Sequence, residues 1–242
     1  MDREQKWRLQ RCGYISASML SDIASKSGKI TETNISAIRA KRFERRHHYP
    51  LNVSSRAMEI GSQNEKYIID WFRENYPDVE IVYSQELDSI PFWVVDWAKF
   101  GASPDAFTPD ERIVVECKTL VSNGNIEFFA DENTPYEEKK AKVWDEHGSQ
   151  ILGQFLSNDK VEEIWVVKHI YVDEFNEFEP SDPLASWRGF VFKFKREDFA
   201  ASLQEMRERI CLIDAMIDAP INPSDFKKGE WKVINGKLKH EE

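Results

Sequence analysis

The chain has 242 residues, 41% of them hydrophobic and 31% charged, and its 33 Lys and Arg against 43 Asp and Glu give a formal net charge of −10. This is the profile of an ordinary soluble globular protein with one full core, or at most two small ones. It excludes a membrane-spanning helix, because no run approaches the roughly 20 apolar residues a bilayer crossing needs. The acidic total also argues against a protein that coats nucleic acid indiscriminately.

In chain order, residues 7–13 read as a short helix entering a loop. Ser18 is placed as the N-cap of an apolar-spaced helix over 19–24, with Asp22 in its first turn. Residues 25–55 are polar and without a clear period. A helical period through Met58, Ile60, Ile68, Ile69, Trp71 and Phe72 spans 56–76 and ends at Pro77. Glu65 lies beside that apolar stripe, where a carboxylate needs a partner. Strands are expected at 79–85, 92–97, 100–103 and 113–118, followed by loop and polar helix over 124–146. A further helix, from about 144 to 158, carries Gln150, Ile151, Phe155 and Leu156. Residues 164–172 and 189–195 read as strands, and 199–219 as an amphipathic helix with Leu203, Met206, Ile210, Ile213 and Ile217 inward. The polar tail beyond Pro220 is expected to be loosely attached. The simplest account is one mixed α/β domain over 1–221, with 222–242 as a tail.

The chemistry concentrates at Ser103-Pro104-Asp105 and the strand Ile113-Val114-Val115-Glu116-Cys117-Lys118. Successive strand side chains alternate, so Glu116 and Lys118 share one face while Ile113, Val115 and Cys117 share the other. An apolar strand that turns a carboxylate and an ammonium inward must give both partners. Asp105 stands just upstream. Two acids able to converge on a divalent cation, with a lysine beside them, form the working end of a metal-dependent nuclease. The Glu-x-Lys spacing also occurs at Glu4/Lys6, Glu137/Lys139, Glu138/Lys140 and Glu230/Lys232, but in polar surroundings that suit solvated surface pairs. Asp105 alone equally fits a turn residue after Pro104. Cys12, Cys117 and Cys211 are scattered and odd in number, so neither a disulfide framework nor a CxxC zinc site is indicated. The polar N-terminus lacks a signal-peptide core, and a cytosolic setting is expected. The histidines show no HxxxH pattern, and GxSxG and P-loop motifs are absent.

Four stretches together resemble the phage lambda exonuclease family, a branch of the PD-(D/E)xK nucleases. They are Arg11-Cys12-Gly13-Tyr14-Ile15-Ser16-Ala17-Ser18, Gly61-Ser62-Gln63-Asn64-Glu65, the pair Ser103-Pro104-Asp105 and Glu116-Cys117-Lys118, and Gln150-Ile151. The resemblance covers residues 7–172 and leaves 25–55 unmatched. It implies an α/β restriction-endonuclease-like core, a central mixed β-sheet flanked by helices. It implies Mg²⁺, with Mn²⁺ as a substitute, held by Asp105, Glu116 and the Cys117 backbone carbonyl and supported by Glu65. Lys118 would orient or deprotonate the attacking water. Arg11 and Ser18 would grip a terminal 5′ phosphate, although Ser18 also fits an ordinary N-cap. Gln150 would contact substrate or a bound water, with Gln154 competing for the role. The implied activity is digestion of one strand of linear double-stranded DNA, 5′ to 3′, by a ring-shaped homotrimer in the bacterial cytoplasm. A single-strand annealing protein would be its recombination partner. The basic run Lys41-Arg42-Phe43-Glu44-Arg45-Arg46-His47-His48 either lines a duplex entrance or is a solvated loop. The rivals are another nuclease of the same superfamily, either restriction-type or RecB- or Cas4-like (the Cas4-like version, with its four-cysteine iron–sulfur set, is opposed by three dispersed cysteines), and a non-catalytic DNA-end-binding protein.

Overall fold

Asp2 opens the first helix: its side chain accepts the Gln5 amide while the Gln5 side chain accepts the Asp2 amide, a reciprocal cap. From there α1 runs over Arg3–Gln10. This computed structural model describes residues 2–23, 30–51, 56–172, 182–227, 230–234 and 237–241. After α1 come β1 (Ile15–Ser16), a 3₁₀ turn (Ala17–Met19), α2 (Leu20–Ile23), α3 (Glu32–His47) and α4 (Arg56–Asn75). Four short strands follow: β2 (Val82–Tyr83), β3 (Trp93–Val94), β4 (Phe100–Ala102) and β5 (Ala106–Phe107). The chain continues through β6 (Ile113–Leu120), α5 (Asn123–Ala130), α6 (Tyr136–Ser157), β7 (Glu163–Ile170), β8 (Gly189–Lys195) and α7 (Ala200–Asp218). A hairpin of β9 (Glu230–Ile234) and β10 (Lys237–Glu241) closes it.

The central sheet has five strands in the order β2-β5-β6-β7-β8, with β6 and β7 parallel and the other pairs antiparallel. It is the mixed, helix-flanked sheet expected from the sequence. Strand alternation sends Val114, Ile164, Val166, Phe192 and Phe194 to the core that α6 and α7 cover. Val115, Trp165 and Val167 go to the opposite core, against Ile68, Ile69 and Phe72 of α4. Burial on both faces explains why β6 and β7 read as near-continuous apolar runs.

Three expectations need correcting. The run 41–48 is not a solvated loop; it is the C-terminal part of α3 with its cap, and Lys41, Arg42 and Arg45 are bonded within the protein. Arg42 donates to the carbonyls of Met216 and Ile217, acceptors in the last turn of α7, and to that of Ile221 just beyond it. Arg45 donates to Gly13 O at 2.8 Å and pairs with Asp214. Lys41 is buried against Glu44 at 2.7 Å. This helix escapes a hydrophobic-period reading because Asn34, Lys41 and Glu44 occupy buried positions beside Ile35 and Ile38. The tail is not loose either: Phe226 is 1% exposed, and Trp231 and Leu238 pack against the main core. Finally, α6 begins at Tyr136, two turns before the expected start, because its first turns are exposed and charged. Residues 25–29 and 52–55 of the unmatched segment lie outside the described residues.

Candidate active site

The site forms where β5 and β6 part. Their ladder holds for two residue pairs, Phe107 with Val114 and Ala106 with Val115, and then stops. The turn joining them is tight: Glu111 takes a φ of 63°, and Asp110 accepts from Thr108 Oγ1 at 2.6 Å and from the Arg112 amide at 3.1 Å. On the far side Ser84 fixes the chain, donating its amide to Asp105 O at 2.9 Å and its hydroxyl to Pro104 O at 2.6 Å. Asp105 therefore stands where the next ladder partner of β6 would be. Its Oδ2 accepts the Cys117 amide at 2.8 Å. A strand residue directs its N–H and C=O to the same edge. Ile113, in the same parity, has its carbonyl accepting from Thr108 on β5's side at 2.9 Å. The Cys117 carbonyl thus opens onto the edge occupied by Asp105, while its half-buried side chain packs with the α4 core.

Glu116 points to the α6 face and is 3% exposed. Its Oε1 accepts from Lys118 Nζ at 2.8 Å and from Gln150 Nε2, and its Oε2 accepts from Gln154 Nε2 at 3.0 Å. The two glutamines, one helical turn apart, do not compete; both hold the same carboxylate. Glu65, half-buried on α4, accepts a hydrogen bond from Tyr83. Burial, with the negative charge of Glu116 beside it, pushes the Glu65 carboxyl up to about 7 against the pull of Tyr83. Asp105 is raised well above the usual carboxylate range by burial and then by Glu116 and Glu65. Burial alone would lower Lys118, but Glu116 and Asp105 outweigh it and hold its ammonium charge above the usual pKa. Three interacting carboxylates therefore face one ammonium. The excess negative charge and the hard oxygen donors fit a divalent cation. No set of three or more His, Cys, Asp or Glu side chains among the described residues forms a ready metal cage.

Arg11 lies over the Trp7 ring at 4.2 Å and near the Phe92 ring at 5.9 Å. Trp7 in turn donates from Nε1 to Ser103 Oγ at 3.1 Å, which ties Arg11 to the Ser-Pro-Asp turn. Burial lowers Arg11 to about 10 against the attraction of Glu44, so the group stays cationic at neutral pH. Its guanidinium donates no hydrogen bond to the described residues. Gly13, at φ 78° and with Arg45 Cγ 2.8 Å from where a Cβ would sit, lets the chain turn back beneath it. Ser18 is not an N-cap. It lies inside the 3₁₀ turn, exposed, 3.1 Å from Ser16 Oγ, and the cap position belongs to Ser16, which makes no side-chain cap bond. A Cβ at Gly153 would meet Ala17 Cβ and Leu20 Cδ1 at 2.7 Å, so only glycine lets α6 press this turn toward the glutamines.

Sequence reasoning missed a second buried cation. Lys168, 4% exposed, is the register partner of Lys118 across the parallel pair. Its ammonium donates to Glu146 Oε2 at 2.6 Å and to His147 Nε2 at 2.7 Å. Burial and the nearby Lys168 and Lys118 charges depress His147 to about 2, so the imidazole is neutral. The signal was present: Lys168 interrupts the apolar run of β7 at an inward position, as Lys118 does in β6.

No protein-family description and no curated protein matches the sequence. The fold is that of solved exonucleases. It is similar to an alkaline exonuclease (LHK-Exo) from Laribacter hongkongensis, with a TM-score of 0.60 at 17% identity over 88% of this chain and 94% of that one. The same enzyme in complex with dAMP gives 0.53 at 16% identity over 88% and 94%. A phage-related exonuclease from Haemophilus somnus 129PT gives 0.59 at 16% identity over 85% and 93%.

The raised carboxyls have a measurable consequence for the metal-free protein. A carboxyl whose folded pKa exceeds its unfolded one contributes stability that is complete below the unfolded value and lost as pH rises through the folded value. For Glu65 that window ends near 7. In EDTA the protein is therefore expected to melt lower at pH 8 than at pH 5, and Glu65→Gln to raise the pH 8 stability by about 3 kcal/mol. Superimposable pH dependence in wild type and variant would contradict the electrostatic account.

Proposed function

We propose that this protein is a metal-dependent exodeoxyribonuclease that digests one strand of linear double-stranded DNA, 5′ to 3′ from a 5′-phosphorylated end. What supports the reading is that Asp105, bonded to the Cys117 amide where β5 and β6 part, feels the charges of Glu116 and Glu65, while Lys118 is bonded to Glu116. The fold shared with alkaline and phage-related exonucleases supports it.

Asp105, Glu116 and the Cys117 carbonyl would hold Mg²⁺, with Glu65 in support and Mn²⁺ as a substitute. When bound, the ion would polarise the scissile phosphate and make water a better nucleophile at neutral pH. Gln150 and Gln154 fix the direction of Glu116. Lys118, kept protonated by its acidic neighbours, fits a donor that orients the attacking water and stabilises charge at phosphorus better than it fits a base. Hydrolysis breaks the P–O3′ bond and releases a 5′-mononucleotide, so the remaining strand carries a fresh 5′ phosphate. The guanidinium of Arg11, which donates no hydrogen bond to the described residues, suits that phosphate, and the exposed Ser18 hydroxyl would add a further donor. A homotrimeric ring around the duplex and a single-strand annealing partner in the bacterial cytoplasm complete the reading. No described helix is long and apolar enough to cross a membrane.

End-labelled linear duplex with Mg²⁺, beside a closed circle, tests the class: the linear form should be shortened from its 5′ ends and the circle left intact. Cleavage of the circle would favour a restriction-type endonuclease. A 5′-phosphorylated end should be preferred about 10- to 100-fold over a 5′-hydroxyl end, the worth of one charged hydrogen-bond pair. Arg11→Ala should erase that preference; equal rates on both ends in the wild type would remove the role assigned to Arg11.

A further inference from the structure

Beside the carboxylates lies a group of side chains that the proposed reaction leaves unused. His147, Gln150 and Gln154 are spaced i, i+3 and i+7 on α6 and form one stripe of that helix. Gln154 reaches Glu116 and the Ser103 carbonyl, and Gln150 reaches the Glu116 oxygen that Lys118 also holds. One turn back, His147 bonds Lys168, the register partner of Lys118. The stripe therefore passes from Glu116 to the level of Lys118. The side chains of Lys118 and His147 are each 22% exposed, so both reach solvent, and the Lys118 charge acts on the imidazole.

The contact fixes which nitrogen of His147 carries the proton. An ammonium has no lone pair, so Lys168 donates to Nε2, and a neutral imidazole that accepts there holds its proton on Nδ1. Lys168 is complete without substrate: Glu146 takes a second N–H at 2.6 Å, and the Phe129 ring of α5 covers the ammonium at 5.6 Å. His147 is not, because its Nδ1–H has no acceptor among the described residues.

We propose that His147 touches the substrate, donating Nδ1–H to a non-bridging phosphate oxygen of the strand being cut, beside Lys118. Lys168 is the positioning residue that locks the tautomer. The inference rests on the nuclease reading of the site. A neutral donor suits the place: a third cation would be repelled by Lys118 and Lys168 whenever no phosphate is bound, whereas an imidazole N–H supplies direction without charge. A residue that only partnered Lys168 would need an acceptor at the Nε2 position and nothing at Nδ1.

The test is a pair of amide variants, read by single-turnover digestion of linear duplex with Mg²⁺ and by melting in EDTA. In His147→Gln the amide takes the place of Nε2, and in His147→Asn that of Nδ1. His147→Gln still accepts from Lys168; it should melt near wild type but digest about 10- to 100-fold more slowly, the worth of one hydrogen bond to a charged group. His147→Asn deprives a buried ammonium of an acceptor and should melt lower, yet digest within about fivefold of wild type where it is folded. Imidazole nitrogen NMR shifts should show Nδ1–H in the wild type and a tautomer mixture in Lys168→Met. Digestion by His147→Gln at the wild-type rate, digestion by His147→Asn no faster than by His147→Gln, or an Nε2–H tautomer in the wild type overturns the inference and leaves the nuclease reading standing. A wild type that digests no linear duplex removes that reading, and this inference with it.

Discussion

Asp105→Asn is expected to lower single-turnover digestion of linear duplex by about a thousandfold or more, the scale on which removing a group that stabilises transition-state charge is felt. It should leave duplex binding intact and, in EDTA, make the protein more stable. The two effects have opposite signs for one reason. The amide is nearly isosteric and still accepts the Cys117 N–H through Oδ1, so the split between β5 and β6 keeps its shape. It also removes a buried charge that Glu116 and Glu65 oppose. A residue serving only as the turn after Pro104 would lose neither activity nor repulsion on this change. Full digestion by the asparagine variant would end the assignment of Asp105 to the site.

Glu44→Ala is expected to cost about 3–5 kcal/mol, the usual penalty for stranding one partner of a buried ion pair. For a chain of this size that corresponds to a melting point lower by about 10 °C or more. The carboxylate accepts from Lys41 Nζ at 2.7 Å, the Gly13 amide at 2.9 Å and the Leu51 amide at 3.1 Å. Its removal leaves a buried ammonium and two amides unpaired and frees the loop that carries Arg11. Discrimination between 5′-phosphate and 5′-hydroxyl ends should therefore weaken at temperatures where the variant is still folded. A melting point within a degree or two of wild type would show that water replaces the carboxylate at little cost.

The parts of this molecule legible in the sequence were those where hydrophobic pattern and geometry coincide. α4, β6, β7, β8 and α7 lay within a residue or two of where their periods put them. The inward turn of Glu116 and Lys118 followed from alternation alone. α3 was illegible because it buries charge rather than methyl groups, and a period read from apolar residues cannot register Lys41 or Glu44. β5 was illegible because two residues hold no period at all. Ser18 was misplaced because capping preference was applied to a helix that begins two residues earlier, as a 3₁₀ turn after Ser16. Lys168 went unnoticed although its context repeats that of Lys118. Its partners, Glu146 and His147, lie on α6, whose period was read only from the apolar residues further along it.

The turn between Thr108 and Arg112 has an evolutionary consequence. Because Asp105 replaces a ladder partner of β6, its placement depends on the count of residues between the two strands. One residue more or fewer in that turn would exchange the two sides of β5. The sheet would survive, with β6 still seated between β7 and its short neighbour, yet the acid would face the wrong way. This small surface turn is therefore a ruler: homologues should vary its composition freely while conserving its length, unlike ordinary surface loops.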